Sequence, residues 1–278
     1  MDKEKLDVTD YTDPICPFCT DQFKKQPPVH PIPVSRVLEK LDEHLGRNDY
    51  SAAEKHLLYW YGEAEEGRDR HGMLTISNEL MGLYRKTGRK NEVLTALEKS
   101  LRLIDELELN NNITAGTTYT NAATVCKAFS MPERSLELFG KAKEIYESLL
   151  DNGDLRLGGL YNNLGLTLVD LERFDEAVTY YNKAIEIMSK KENGELEVAI
   201  TYLNLANLEE ARLGAEKSEE IVDEYIEKAY ELLNRAYLPR NGYYAFVCEK
   251  CAPTFGYYGR FLYEKELRDR ARDIYERN

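Results

Sequence analysis

The chain repeats itself at a fixed interval. Three segments align without gaps: YTNAATVCKAFSMPERSLELFGKA from Tyr119, YNNLGLTLVDLERFDEAVTYYNKA from Tyr161 and YLNLANLEEA from Tyr202. Their tyrosines stand 42 and 41 residues apart. Three residues after each Tyr comes Ala122, Leu164 or Leu205, followed at once by a small residue, Ala123, Gly165 or Ala206. In the middle segment Leu160, Leu164, Leu168 and Leu171 fall at i, i+4, i+8 and i+11, one face of a helix. The small residue lets a second helix approach closely, and Tyr181 and Ala184 supply the facing stripe of that helix. A helix pair of this size cannot bury its apolar face alone, so successive pairs must stack.

Weaker copies extend the phase in both directions. Leu80, Tyr84, Gly88, Val93 and Leu97 make a second repeat, and Val37, Leu41, Tyr50, Ala53, Leu57 and Trp60 a degenerate first one. In the fifth, Ile226 and Ala229 fit only with an insertion of about four residues around positions 214–220. Phe255, Tyr258, Gly259, Leu262, Ala271 and Tyr275 make a sixth. The expected architecture is all-α: a right-handed superhelical solenoid of about six antiparallel helix pairs over residues 34–278. Ser130-Met-Pro-Glu133 reads as a capping box with Pro132 in the first turn. Asp151–Asp154, Asn193-Gly194 and Pro239–Gly242 read as breaks between pairs. Residues 1–33 hold six of the nine Pro and no helical period, and are expected to form an extended arm that is ordered only where it lies on the body.

Tyr161, Leu164, Gly165, Phe174, Ala177, Tyr181 and Ala184 match, in order, the typed positions of the tetratricopeptide repeat, which the chain resembles. Leu168 replaces the usual aromatic and Glu172 the usual Gly. The period exceeds the common ~34 residues and is similar to the long-helix variant of kinesin light chains. The chain also resembles stand-alone bacterial repeat proteins with no assigned activity. It lacks the helix-turn-helix start of the pheromone-regulated transcription factors.

In such a stack the first helix of each pair lines the concave face. Here that helix carries an Asn before the Leu/Ala slot in three consecutive repeats: Asn121, Asn163 and Asn204, flanked by Asn162 and Asn207. A primary amide is donor and acceptor at once, so it can pair with the main chain of an extended peptide whatever its side chains. The resemblance implies the same use, since kinesin light chains and bacterial peptide-pheromone receptors employ Asn at this slot in that way. The competing role is structural, an amide bridging to the neighbouring helix. Six residues further along each first helix come Arg85, Lys127, Val169 and Glu210. Arg85, Lys86 and Lys127 are expected to form a basic end able to hold a ligand carboxylate. Glu79 stands where an Hsp90-type carboxylate clamp would want Asn, so chaperone-tail binding is not expected.

The remaining expectations are mostly exclusions. Lys+Arg of 37 against Asp+Glu of 50 gives a net charge of −13, which repels phosphate backbones and argues against nucleic acid. No apolar run nears the roughly 20 residues of a membrane span. The polar start MDKEKLDVTD does not read as a signal peptide, and five cysteines without an export signal suit a reducing, cytoplasmic setting. Cys16-Pro-Phe-Cys19 and Cys248-Glu-Lys-Cys251 could together supply four thiolates to zinc. With Cys19 and Cys248 lying 229 positions apart, buried core thiols are the preferred reading for the second pair, and no cofactor is expected. The crowded Tyr243–Gly259 segment reads as a terminal cap, with groove closure or a subunit contact as alternatives. Phosphate-loop, zinc-protease, nucleophile-elbow and dinucleotide motifs are absent. The function expected is a non-catalytic module holding a protein or peptide ligand. The alternative is a homo-oligomerisation scaffold, a homodimer built from the arm and the Tyr-rich end.

Overall fold

A computed structural model describes residues 29–277. Among them are twelve helices and no strand: α1 (Val34–Gly46), α2 (Tyr50–Glu66), α3 (Arg70–Lys86), α4 (Lys90–Glu106), α5 (Ile113–Ala128), α6 (Pro132–Leu149), α7 (Leu155–Asp170), α8 (Phe174–Met188), α9 (Glu195–Leu213), α10 (Ala215–Leu233), α11 (Gly242–Tyr257) and α12 (Phe261–Tyr275). Each odd helix pairs with the even helix that follows, and each pair stacks on the next, giving a six-pair all-α solenoid. The arm segment 1–28, with Cys16 and Cys19, lies outside the described residues. Residues 29–33 run along the α2–α3 turn. His30 N–H donates to Gly67 O, Ile32 N–H donates to buried Asp69, and the Ile32 side chain is buried.

The two ends of the helices are built differently. Odd helices mostly begin with a side-chain cap: Asp69 accepts from Gly72 N–H, Asn112 from Thr114, Asp154 from Arg156 and Asn241 from Tyr244. Turns inside the pairs use the backbone instead. One residue takes the left-handed conformation at Asn48, Gly88, Ser130, Glu172 and Gly259, with φ between +54° and +75°. The next N–H then reaches back five residues: Asp49 to His44 O, Arg89 to Tyr84, Met131 to Cys126, Arg173 to Leu168 and Arg260 to Phe255. This repeated stop signal makes five of the six hairpins alike and keeps those repeats in phase; α9–α10 turns at Gly214 instead.

Two local expectations are corrected by this turn. Ser130 is not an N-cap: it is the left-handed residue at φ 58°, and the N-cap position is Met131, which makes no side-chain cap bond. Pro132 does open α6. Gly259 is not the small contact residue of the sixth repeat but its turn residue, and Leu262 just beyond it is 81% exposed. The small buried residues of α11 are Ala245 and Ala252. The insertion in the fifth repeat forms no loop, because α9 and α10 each grow to 19 residues and meet at the single residue Gly214.

The core follows the sequence stripe. Leu80, Leu97, Ala122, Phe139, Leu164 and Ala184 form one buried seam, continued by Leu168, Ala177, Tyr181, Leu205 and Leu208 and then by Ile200, Ile226, Tyr244, Phe255 and Leu267. Gly165 shows why the small slot matters. A Cβ there would lie 2.4 Å from the buried Tyr181 ring. His56 braces α1 by donating from Nε2 to Val37 O at 2.9 Å.

The left-handed turn gives a direct test. A Cβ on Gly88 meets nothing within 4 Å, so at φ 71° the cost of Gly88→Ala is conformational alone. Urea unfolding should show a loss of about 1 kcal/mol with an unchanged slope. An unaltered midpoint would mean that this turn is not left-handed in solution.

Candidate peptide-binding groove

Curvature identifies the inner face. Successive odd helices α3, α5, α7, α9 and α11 approach backbone to backbone, whereas successive even helices stand further apart and meet through long side chains such as Lys143 with Tyr180 and Tyr230 with Tyr263. The odd helices therefore line the shorter, concave side. The three predicted amides all lie on that side, at equivalent positions of α5, α7 and α9, and each is partly exposed. The same position on α3 holds Glu79. Its carboxyl is pushed above the usual range, first by burial and then by the neighbouring charge of Asp42.

The amides do not stand in identical surroundings. Asn121 donates from Nδ2 to Asn78 Oδ1 at 3.2 Å. Asn204 donates from Nδ2 to Asn162 Oδ1 at 3.0 Å. Both are thus bridged to the preceding odd helix, each still holding part of its amide in the groove. Asn163 lies between them, and its side-chain amide has no protein partner among the described residues. Asn162 is buried at 9% exposure and acts from beneath the groove. Asn207 is exposed, and its Oδ1 accepts from Tyr258 OH at 3.0 Å.

Asn78, Thr118 and Thr201 complete these bridges and were missed in the sequence. Asn78 gives Nδ2 to Leu74 O and to Thr118 Oγ1, both at 3.0 Å. Thr201 Oγ1 donates to Asn162 Oδ1 at 3.2 Å. A signal was present, since each Asn–Thr pair is separated by about one repeat period, 40 residues in one case and 39 in the other.

Between the amides the groove is short on charge. Thr117, Thr124, Gly159 and Leu166 share the open face of α5 and α7. The anticipated basic end is not assembled. Lys127 is paired with Asp170 at 3.1 Å, Lys86 lies 5.1 Å over the Tyr50 ring, and of the three Arg85 alone projects into solvent with no partner among the described residues. At the other end phenols close on carboxylates. Tyr243 OH donates to Glu197, while Tyr257 and Tyr258 both donate to Glu210. Burial raises the Tyr258 phenol, and the Glu210 carboxylate that it faces raises it further. These contacts tie α11 across α9, as a capping repeat requires.

With the stacked hairpins and the groove described, the relatives fit. Residues 156–227 match the model of the tetratricopeptide repeat. The chain has the tetratricopeptide-repeat fold. The crystal structure of BtubC (BKLC) from P. vanneervenii superposes with a TM-score of 0.61 at 22% identity, covering 75% of this chain and 84% of that one. A putative kinesin light chain of Podosopora anserina with nearly identical TPR-like repeats gives a TM-score of 0.51 at 15% identity, over 73% of this chain and 94% of that one. No curated protein sequence matches the chain. No helix among the described residues is long and apolar enough to cross a membrane.

The cysteines of α11 lie away from this chemistry. Cys248 and Cys251 are buried one turn apart in the last repeats, and no cluster of metal-binding side chains occurs among the described residues. Burial pushes the Cys248 thiol up to about 11 and the Cys251 thiol to about 12. Such thiols are protonated and inert at neutral pH. With Cys16 and Cys19 replaced by Ser, Cys126, Cys248 and Cys251 should resist a thiol reagent at pH 8 until denaturant is added. Rapid labelling of the native chain would contradict this placement.

Proposed function

We propose that the chain is a non-catalytic protein-binding module whose concave groove holds an extended peptide segment through Asn121, Asn163 and Asn204. The observation that carries this reading is the middle amide. Asn163 sits in the same position as its two bridged neighbours, yet neither its donors nor its acceptor are used among the described residues. An amide row needs no particular ligand side chains, because every residue except Pro offers one N–H and one C=O. The uncharged middle of the groove suits that use. Asn162 and Asn207 act from below and from the rim, and Arg85 remains as a contact for a ligand carboxylate.

Peptides selected from a random display library on the full chain supply the test. Asn163→Ala with Asn204→Ala should weaken them about 10-fold or more, since two hydrogen bonds of the usual net worth are lost. Equal binding to the doubly substituted chain would assign the amides a structural role only.

The scaffold reading draws on a separate observation. Phe261 and Leu262 at the C-terminal end are 69% and 81% exposed. Light scattering on the full chain and on a chain lacking residues 1–33 separates the two. A monomer in both cases removes the scaffold, while a dimer lost on truncation replaces the groove reading with it.

A further inference from the structure

The bridging amides have a direction, and it constrains what the groove can bind. The direction starts at Thr118, whose Oγ1 gives its only proton to Thr114 O at 2.9 Å and can therefore only accept from Asn78. Asn78 satisfies it with Nδ2, and the same nitrogen also donates to Leu74 O, which has no proton to offer. The Asn78 amide is locked, with Oδ1 facing α5. Asn121 must answer with its nitrogen, as the 3.2 Å bond records. Its own Oδ1 has no partner among the described residues. Two repeats further on, Asn204 also gives Nδ2 to buried Asn162 Oδ1, an oxygen that Thr201 Oγ1 approaches at 3.2 Å while bonding Glu197 O at 2.9 Å, and the Asn204 Oδ1 has no partner among the described residues.

We infer that Asn78 and Asn162 are positioning residues that turn the Asn121 and Asn204 carbonyl oxygens to the ligand, so that the two outer rungs accept main-chain N–H groups of the bound peptide. This rests on the groove reading above and makes it more specific. The outer rungs are fixed acceptors, and the unbridged Asn163 between them can serve as donor or acceptor. The rungs also have a spacing. Adjacent odd helices pack roughly 8–10 Å apart, so Asn121 and Asn204, two layers apart, are separated by roughly 16–20 Å. A strand rising ~3.3 Å per residue covers that span in about five or six residues. The bound segment must therefore present two N–H donors at that interval, and neither position can be Pro.

The probe is the tightest-binding dodecamer from a random display library, synthesised as a full set of single amide-to-ester variants. Each ester removes one N–H and leaves the side chain in place. Two positions about five or six residues apart should each lose about 3–10-fold in affinity, the net worth of one hydrogen bond. Asn162→Leu should weaken the unmodified dodecamer by a similar factor and also abolish sensitivity at one of the two ester positions. Asn162→Asp keeps an oxygen facing Asn204 and should restore both. A general loss of packing would move neither ester profile, and circular dichroism checks that Asn162→Leu is folded. Should that variant not fold, the ester set on the natural chain still decides. If the dodecamer is weakened by Asn163→Ala but no pair of esters stands out, the groove reading survives and the acceptor assignment falls. If Asn163→Ala has no effect, or the library gives no binder, both fall together.

Discussion

Much in this molecule depends on the close approach of helices at one small position in each of four repeats. Where Gly165 meets the Tyr181 ring there is no room for a methyl group, and Ala123, Ala206 and Ala252 occupy similarly buried positions. A single hairpin leaves that surface open to water, so burial is complete only when pairs stack. Stacking has a geometric consequence. Once the pairs are in phase, residues about 42 positions apart in sequence become neighbours in space, and a polar side chain recurring with the repeat becomes a row. The left-handed turns at Gly88, Ser130, Glu172 and Gly259 preserve that phase by ending α3, α5, α7 and α11 in the same way.

The same geometry explains why three similar Asn residues are not equivalent. An amide can bond across the stack only if the preceding odd helix offers a partner at the right height. Asn78 and Asn162 do so for Asn121 and Asn204. For Asn163 the corresponding residue of α5 is Thr120, whose hydroxyl is already given to Gly116 O. Alternate rungs are thus tied into the scaffold, and the one between them is left over. Two of the three amides carry a bond to the scaffold and one does not, so the three are not structurally equivalent.

The periodic part of the fold was legible in the sequence because periodicity is a property of the string. The six pairs, the Leu face of α7 and the breaks at Asp151–Asp154 and Asn193-Gly194 needed no coordinates. What was illegible involved either a shift of phase or a partner in another repeat. Gly259 was placed on a helix contact because the longer α9 and α10 displace the last pair, and Tyr243 meets Glu197 across 46 residues instead of 42. Ser130 was read as a cap because Ser-x-x-Glu is the same string whether the Ser is extended or left-handed. Lys127 looked available because Asp170, which neutralises it, lies in the next repeat. The bridges from Asn78 and Asn162 were hidden for the same reason, although their near-period spacing to Thr118 and Thr201 could have exposed them.

The most direct test of the central claim watches the side-chain amides themselves. In a nitrogen–proton correlation spectrum of the full chain, each Asn gives its own NH2 pair, and Asn91 and Asn182 on the even helices serve as references. Adding a display-selected peptide should shift the Asn163 pair most, move those of Asn121 and Asn204 less, and leave Asn91 and Asn182 in place. Shifts confined to the even-helix amides, or a motionless Asn163 under saturating peptide, would place the binding surface elsewhere and contradict the account.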